Sequence, residues 1–349
     1  MTLSSRPPLE VVTLGTGGGP VVSSSRAGTA TLVRVEDATY LFDCGMGSIR
    51  QYREHAEWGE LRGIFLTHMH SDHIYDLGSY LVTGWEVPGE SFSRQIAVRG
   101  PAASPSIPAF DDDEATVFAE RVGSRVSHGT AEAVDALLHK VFGADIFIRM
   151  ADEGRGEPTT WIDAQDIVPP PDCAADPVRA RCPDMEPFEV YRDELVTISA
   201  ILVDHRLCYP AYGFRLDSAH GSVVISGDTT ECDNMVRLAK GADILCHEVM
   251  AFEKMVPTIP EGPRREGIIA HILGSHTAET VVGKIADRAG VGRLVLTHIV
   301  PNLPAAVDPQ YLVDAASVDF AGPVDVAEDG HRFAVATTAA ATATEGGAR

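Results

Sequence analysis

The segment LTHMHSDH, Leu66 to His73, places three histidines and one aspartate within eight residues of a chain that has 13 histidines in 349 residues. It overlaps LRGIFLT (61–67), which predicts a strand, and runs into HIYDLGSYLVTGW (73–85), which predicts a helix. His68 and His70 are two residues apart, so both imidazoles reach one ion from an extended backbone. Asp72 and His73 then turn toward a second ion. Taken alone, such a segment is also compatible with a polar surface loop.

Three other predicted strands end at a residue of metal-binding type. They are LVTISAILVDH, GSVVISGD and RLVLTH, which end at His205, Asp228 and His298. The carboxyl ends of strands in an α/β sheet line a common crevice, so we expect these side chains to meet His68. Asp228 is the candidate to bridge two ions. Imidazole and carboxylate donors without thiolate favour Zn²⁺, with Mn²⁺ or Fe²⁺ as alternatives, and two such ions activate a bridging water for hydrolysis.

Length and composition favour one large domain. The chain is 44% hydrophobic, which is enough for a buried core. We predict a single domain over residues 1–337, a partly helical insertion at about 103–190 and a disordered tail at 338–349. Within the insertion, DDDEATVFAERVGSRV (111–126) and AEAVDALLHKVFG (131–143) predict helices.

Charge and cysteine usage define the expected surroundings of the protein. The six cysteines lack CxxC spacing and indicate reduced thiols, with a Cys173–Cys182 bridge left open. The absence of a long apolar run predicts a cytoplasmic protein without membrane contact. A net charge of −22 and the lack of a basic stripe make nucleic acid an unlikely partner on this reasoning.

The motifs, taken in order, resemble a known superfamily. THMHSDH, LGTGGGP, LFDCGMG, SGDTTECDNMVRLAKGADILCHE and HTAETVVGKIADRAGVGRLVLTHIVP are similar to segments of the metallo-β-lactamase superfamily, in the branch with RNase Z and arylsulfatase-like hydrolases. The resemblance implies an α/β fold, an αββα sandwich with two metal ions at one edge. It implies that one ion is held by His68, His70 and His205, and the other by Asp72, His73 and His298, with Asp228 between them.

The same resemblance implies the remaining catalytic groups. Glu248 would orient His276, and His276 would protonate the leaving group, with His271 as a competitor for that role. We predict that His276 opens a helix. Asp43 in LFDCG would brace the metal loop. The predicted catalytic residues are therefore Asp72, Glu248 and His276.

Two departures from the tRNA-processing enzymes direct the choice of substrate. His205 and Asp228 are only 23 positions apart, so the basic arm found there in those enzymes is absent, whereas His73 and His205 are 132 positions apart. We therefore expect a hydrolase of a small-molecule ester, with aryl sulfate leading and phosphodiester, lactone or carboxylic ester open. The insertion could also mediate a homodimer. An RNase Z-type tRNA 3′-endonuclease is the alternative, and an iron-dependent redox protein of the same fold is a more distant one.

Overall fold

The structure, a computed structural model, describes residues 6–86, 89–104, 128–302 and 306–335. These ranges contain strands in two sheets and helices outside them. The strands are β1 Leu9–Gly15, β2 Ala30–Val35, β3 Ala38–Phe42, β4 Leu61–Phe65, β5 Ile96–Pro101, β6 Ile162–Ile167, β7 Phe188–Arg192, β8 Val196–Leu202, β9 Tyr212–Ser218, β10 Gly221–Ile225, β11 Ile244–Met250, β12 Leu294–Val300, β13 Val324–Val326 and β14 Arg332–Ala334.

The helices of the same ranges are short. They are α1 Ser48–His55, α2 Ser71–Ile74, α3 Leu77–Glu86, α4 Thr130–Ala136, α5 Gly143–Glu153, α6 Asp233–Leu238, α7 Phe252–Met255, α8 Arg265–Leu273, α9 Val282–Ala289 and α10 Pro309–Ala316. None of the helices in the described part of the chain has the length and apolar character that a bilayer span requires.

The two sheets have the same pattern of strand directions. The first has the order β14-β1-β2-β3-β4-β5-β6 and the second β13-β12-β11-β10-β9-β8-β7. In the first, β14 to β3 pair antiparallel and β3 to β6 pair parallel. In the second, β7 to β10 pair antiparallel and β10 to β13 pair parallel. Each sheet therefore joins an antiparallel meander to parallel strands.

Alternation along the strands builds a core on each face of the first sheet. Val11, Val33 and Phe42 face the second sheet, and their neighbours in sequence face the helices. Phe42 packs on Phe65 and Phe214 with ring centroids 5.3 and 5.7 Å apart, which joins the two sheets. Because both sheets are covered on both faces, their central strands are buried throughout. The predicted αββα sandwich is confirmed.

The helices differ in detail from the predictions. The predicted helix at 73–85 is divided into α2 and α3, and the helix predicted to open at His276 begins at Val282 instead. Residues 276–281 are not helical, because the backbone at Ala278 pairs with Met250 of β11 and residues 279–281 form a turn. This helix ends before Gly290, whose φ of 66° lies in the left-handed region that favours glycine.

The predicted insertion contributes to both sheets. Within 103–190, residues 130–136 and 143–153 are helical, and β6 pairs with β5 at the edge of the first sheet. β7, which begins at Phe188, forms the edge of the second sheet. The predicted helix at 111–126 and the predicted tail at 338–349 lie outside the described residues, and the domain boundaries stay a prediction. Each of the six cysteines is a free thiol, so Cys173 and Cys182 are not bridged.

Candidate metal centre

Three strands are each followed, three residues beyond their last residue, by a polar side chain of the candidate site. β4 ends at Phe65, β8 at Leu202 and β10 at Ile225, and the third residue after each is His68, His205 and Asp228 respectively. All three side chains are buried, with 0–3% of their surface exposed. The prediction that they converge from strand ends is consistent with this placement, because the three lie at one edge of the sandwich.

His298 reaches the same place by another route. It lies inside β12, where the pairing with β11 shifts between Glu248 and Val249, so His298 is the extra residue of a β-bulge. Its φ is 43°, in the left-handed region, although it is not glycine. A bulge redirects one side chain without ending the strand. The strand continues to Val300, so the prediction that it ends at His298 is wrong, while the predicted proximity of His298 to the other ligands is observed.

His68, His70 and His205 form one cluster, here called the three-histidine group. Nδ1 of His70 and Nε2 of His205 lie 3.1 Å apart, and the ring centroids of His68 and His205 are 4.7 Å apart. His205 donates from Nδ1 to the carbonyl oxygen of Ser275 at 2.8 Å. This hydrogen bond leaves the Nε2 lone pair directed into the cluster.

Asp72, His73 and His298 form the second cluster, here called the Asp72 group. Oδ2 of Asp72 lies 3.4 Å from Nε2 of His298 and 3.7 Å from Nε2 of His73. His73 donates from Nδ1 to Oδ2 of Asp43 at 2.8 Å, so its Nε2 also faces the cluster. Asp43 has φ of 62° and accepts from the Thr67 amide at 2.8 Å. It braces the loop as predicted.

Asp228 lies between the two groups. Its Oδ2 is 3.9 Å from Nε2 of His68 and 3.8 Å from Nε2 of His205. Its Oδ1 is 3.3 Å from Nε2 of His73 and 3.2 Å from Nε2 of His298. One carboxylate thus presents one oxygen to each group, which is the arrangement a bridging ligand requires.

The cluster contains buried polar atoms that need a partner. Nε2 of His68, Nε2 of His73 and Oδ1 of Asp228 are buried without a hydrogen bond from any described residue. A buried polar atom without a partner costs free energy, about 1–3 kcal/mol for each group. Divalent cations among imidazoles and carboxylates would satisfy all three atoms, and this donor set suits zinc. The residues therefore fit a metal centre.

The electrostatics differ between the two groups. Burial lowers the pKa of His205 to about 3, and burial together with His73 and His70 lowers the pKa of His68 well below its ordinary value. Burial also acts to lower the pKa of His73, but the carboxylates of Asp228 and Asp43 outweigh it and raise that pKa. The three-histidine group is therefore neutral by itself, whereas the Asp72 group pairs cations with anions.

Glu248 and His276 meet beside both groups. Nδ1 of His276 donates to the Glu248 carboxylate at 3.1 Å, and it lies 3.8 Å from Oδ2 of Asp228. Burial acts to lower the pKa of His276, but Glu248 and Asp228 outweigh it and raise this pKa to about 9. His271 lies on α8 with an exposed side chain. The geometry favours His276 over His271, and the proton-donor role itself stays a prediction.

The glycine-rich turn after β1 packs against the Asp72 group. The Gly19 amide donates to Oδ2 of Asp72 at 2.9 Å. A Cβ on Gly18 would lie 2.5 Å from Nδ1 of His298, so only glycine fits beside this ring. This contact of the turn with the site is not among the predictions from the sequence. Its signal, consecutive glycines directly after the first strand, was present but has many other causes.

Cys208 is not among the predicted ligands but lies beside them. The thiol of Cys208 and one ring nitrogen each of His68, His70 and His205 all lie within 4.8 Å of one another. The prediction of a donor set without sulfur did not place this cysteine near the site. The reason is that its position depends on how the loop after His205 folds.

A cleft with a volume of about 310 Å³ opens beside Asp72. Its walls include Arg50 and Tyr75, both exposed, and the carboxylate of Asp329. Asp329 holds the surrounding loop by accepting from the Ala27 amide at 2.6 Å and the Thr16 amide at 3.0 Å. A cleft of this size next to polar side chains is typical of a substrate site.

Two family models match this chain. The model of the metallo-beta-lactamase superfamily matches residues 25–131, and that of the beta-lactamase superfamily domain matches residues 164–299. Ribonuclease Z of Mycobacterium bovis (strain BCG / Pasteur 1173P2) is 33% identical over 328 residues, covering 94% of this chain and 98% of the relative. Ribonuclease Z of Mycobacterium sp. (strain KMS) is 33% identical over 330 residues, covering 94% and 96%.

Solved structures share the fold at lower identity. The metallo-beta-lactamase fold protein YhfI from Bacillus subtilis is 20% identical, with a TM-score of 0.58 over 93% of this chain and 99% of that one. The short form of human tRNase Z is 21% identical, with a TM-score of 0.56 over 94% and 99%. At these identities the likeness concerns the fold alone.

These matches define the class of the protein: it is a metal-dependent hydrolase. The chain belongs to the metallo-β-lactamase superfamily, in the branch that contains ribonuclease Z.

The comparisons correct one prediction and leave another without support. The prediction that nucleic acid is an unlikely partner is wrong, because the relatives at 33% identity are named as ribonucleases. The error is physical: net charge sums the whole surface, whereas phosphate binding depends on the local field at one cleft. The arylsulfatase-like and esterase predictions gain no support from these relatives.

Proposed function

We propose that this protein is a ribonuclease of the RNase Z type, which cleaves tRNA precursors at the 3′ side. The observation that carries the proposal is the identity of 33% to ribonuclease Z over 94% of the chain, together with the convergence of the seven predicted ligands. The sequence predicts this activity as the alternative to hydrolysis of a small-molecule ester.

The seven side chains would hold two divalent ions, with zinc as the proposed metal. The three-histidine group would hold one ion and the Asp72 group the other, and Asp228 would contact both. When bound, such ions supply Lewis-acid chemistry to a phosphodiester. His70 is half-buried, whereas His68 and His205 of the same group are buried, so the three-histidine group is open to solvent on the His70 side.

Glu248 and His276 would handle the proton of the leaving group. Glu248 holds Nδ1 of His276 at 3.1 Å, which fixes the ring and leaves Nε2 to donate. With a pKa raised to about 9 by Glu248 and Asp228 against the effect of burial, His276 carries the proton at neutral pH. It can then protonate the departing ribose oxygen, which is the task of a general acid.

The cleft beside Asp72 would receive the nucleotide next to the scissile bond. Tyr75 has 48% of its surface exposed and offers a ring on which a base can stack. Arg50, which lines the same cleft, provides a cation for phosphate. An exposed aromatic ring and a guanidinium that line one cleft are compatible with RNA binding there, even though the chain as a whole carries a net charge of −22.

The test is cleavage of a labelled tRNA precursor by the zinc-replete protein, with products resolved at single-nucleotide resolution. We expect one cut at the 3′ side of the acceptor stem from the wild type and none from Asp228→Ala. Asp319→Ala, an exposed carboxylate on the surface, is the matched control and should cut normally. A zinc-replete wild type that leaves the precursor intact, or an Asp228→Ala variant that still cuts it, would refute the proposal.

A further inference from the structure

The loop after His205 brings a sulfur atom to the three-histidine group. The thiol of Cys208 and ring nitrogens of His68, His70 and His205 lie within 4.8 Å of one another. Imidazole nitrogen and thiolate sulfur are both zinc ligands, and zinc sites commonly combine them. None of the other five cysteines is part of such a grouping among the described residues.

The backbone fixes the cysteine in this position. The Cys208 amide donates to the carbonyl oxygen of His205 at 3.0 Å, which closes a turn that starts at the metal-binding histidine itself. The Val203 amide donates to the Ala211 carbonyl oxygen at 3.0 Å and ties the base of the loop. His205 and Cys208 therefore leave the same tight turn on the side of the cluster.

A second, independent observation points to a ligand at this place. Nε2 of His68 is buried and has no hydrogen-bond partner within the described ranges, and His68 is 0% exposed. This nitrogen is directed into the cluster, since it lies 3.9 Å from Oδ2 of Asp228. A cation placed to satisfy it would have the sulfur of Cys208 among its nearest donors.

We propose that the Cys208 thiolate is a ligand of the ion held by His68, His70 and His205. On binding, the thiol releases its proton to solvent and the sulfur donates an electron pair to the cation, with no change of oxidation state. The inference rests on the metal binding of the proposed function. It goes beyond that function because the sulfur distinguishes the two ions chemically.

A sulfur ligand has a consequence for the choice of metal. Thiolate favours zinc over manganese and magnesium, whereas an imidazole and carboxylate set accepts all of them more evenly. The ion in the three-histidine group should therefore be the tighter and more selective of the two. Replacing Cys208 should lower zinc affinity at that group by about tenfold or more, on the scale known for changes around bound metal.

The test is the absorption spectrum of the protein loaded with cobalt(II), because a sulfur-to-cobalt charge-transfer band appears only when thiolate is bound. We expect the band in the wild type, its loss in Cys208→Ser, and its retention in Cys173→Ser, the matched control with a half-buried thiol that belongs to no candidate metal group among the described residues. Cobalt bound without the band in the wild type, or a band that survives in Cys208→Ser, would overturn the proposal.

X-ray absorption at the zinc edge of the wild type keeps the proposal testable even if Cys208→Ser does not fold. We expect a scattering shell at about 2.3 Å, the zinc–sulfur distance, for one ion. A first shell of nitrogen and oxygen only would overturn the assignment of Cys208 and leave the proposed ribonuclease untouched. A wild type that takes up neither cobalt nor zinc would refute both.

Discussion

The two ligand groups of the candidate metal centre differ in the charge of their hydrogen-bond partners. The three-histidine group rests on neutral partners, the Ser275 carbonyl oxygen and the Thr67 hydroxyl, which lies 3.0 Å from Nδ1 of His68. The Asp72 group rests on carboxylates, since Asp43 accepts from His73 at 2.8 Å. Burial lowers the pKa of His205 to about 3, whereas the carboxylates around His73 raise its pKa against the effect of burial.

This difference teaches that two groups of similar ligands need not bind a cation with the same affinity. In the first group the imidazoles are neutral and present lone pairs to a cation without losing a proton. In the second group a cation must displace protons that the carboxylates hold on the imidazoles. We therefore expect the two ions to differ in affinity, and the variants below test whether that asymmetry is real.

Asp228→Ala should have the largest effect, because Asp228 is the one described carboxylate that faces both groups. Loss of both ions removes several kcal/mol of transition-state stabilisation, a fall in RNA cleavage of about a thousandfold or more. Metal content by elemental analysis and cleavage rate are the measurements. Full activity with two ions still bound would show that Asp228 does not bridge.

His276→Ala should leave both ions and slow turnover. Its ring lies against both groups, with centroids 5.4 Å from His205 and 5.8 Å from His298, yet it is placed as a proton donor rather than a ligand. Loss of a general acid costs about 10²–10⁴-fold in rate. The measurement is single-turnover cleavage of RNA with normal and activated leaving groups. An equal loss for both leaving groups would contradict the acid role.

Asp43→Asn should weaken metal binding by the Asp72 group more than by the three-histidine group. Asp43 contacts His73 of the Asp72 group, and the amide cannot balance the charge that a cation and its imidazole present. We expect about 10–100-fold weaker binding of one ion and little change in the other. Competition with a zinc chelator measures both affinities. If both affinities fall together, the halves are not independent.

His271→Ala should have the smallest effect. The residue is exposed on α8, and such surface changes alter stability by about 0.5 kcal/mol or less. We expect RNA cleavage within about twofold of the wild type, on the same energy scale. A loss as large as that of His276→Ala would assign the proton donor to His271 instead.

The sequence predicts which seven side chains meet, but not how His298 is directed or that Cys208 lies beside them. His68 to His73 are readable because one short segment contains their spacing. The aim of His298 depends on a bulge against β11, and the place of Cys208 depends on a turn closed by hydrogen bonds. Neither leaves a periodic signal. The exclusion of nucleic acid failed for a related reason, since total charge contains no information on where charges lie.

The same limit applied to the helix expected at His276. Apolar spacing after Thr277 is compatible with a helix from that point, but the backbone near Ala278 pairs with Met250 of β11. This pairing holds His276 against Glu248. Long-range hydrogen bonding therefore overrode local preference at a position where the proposed chemistry needs a fixed ring.

Asp329 lies just before β14, the last strand that the described residues contain, and supports the cleft rather than the metal ions. Its carboxylate accepts a hydrogen bond from the Ala27 amide in the loop that lines the cleft, and β14, which follows, pairs antiparallel with β1. A protein shortened before Asp329 would keep every proposed metal-binding side chain and yet lose the hydrogen bonds that hold the loop lining the cleft. Zinc content alone is thus a poor measure of whether a preparation is intact.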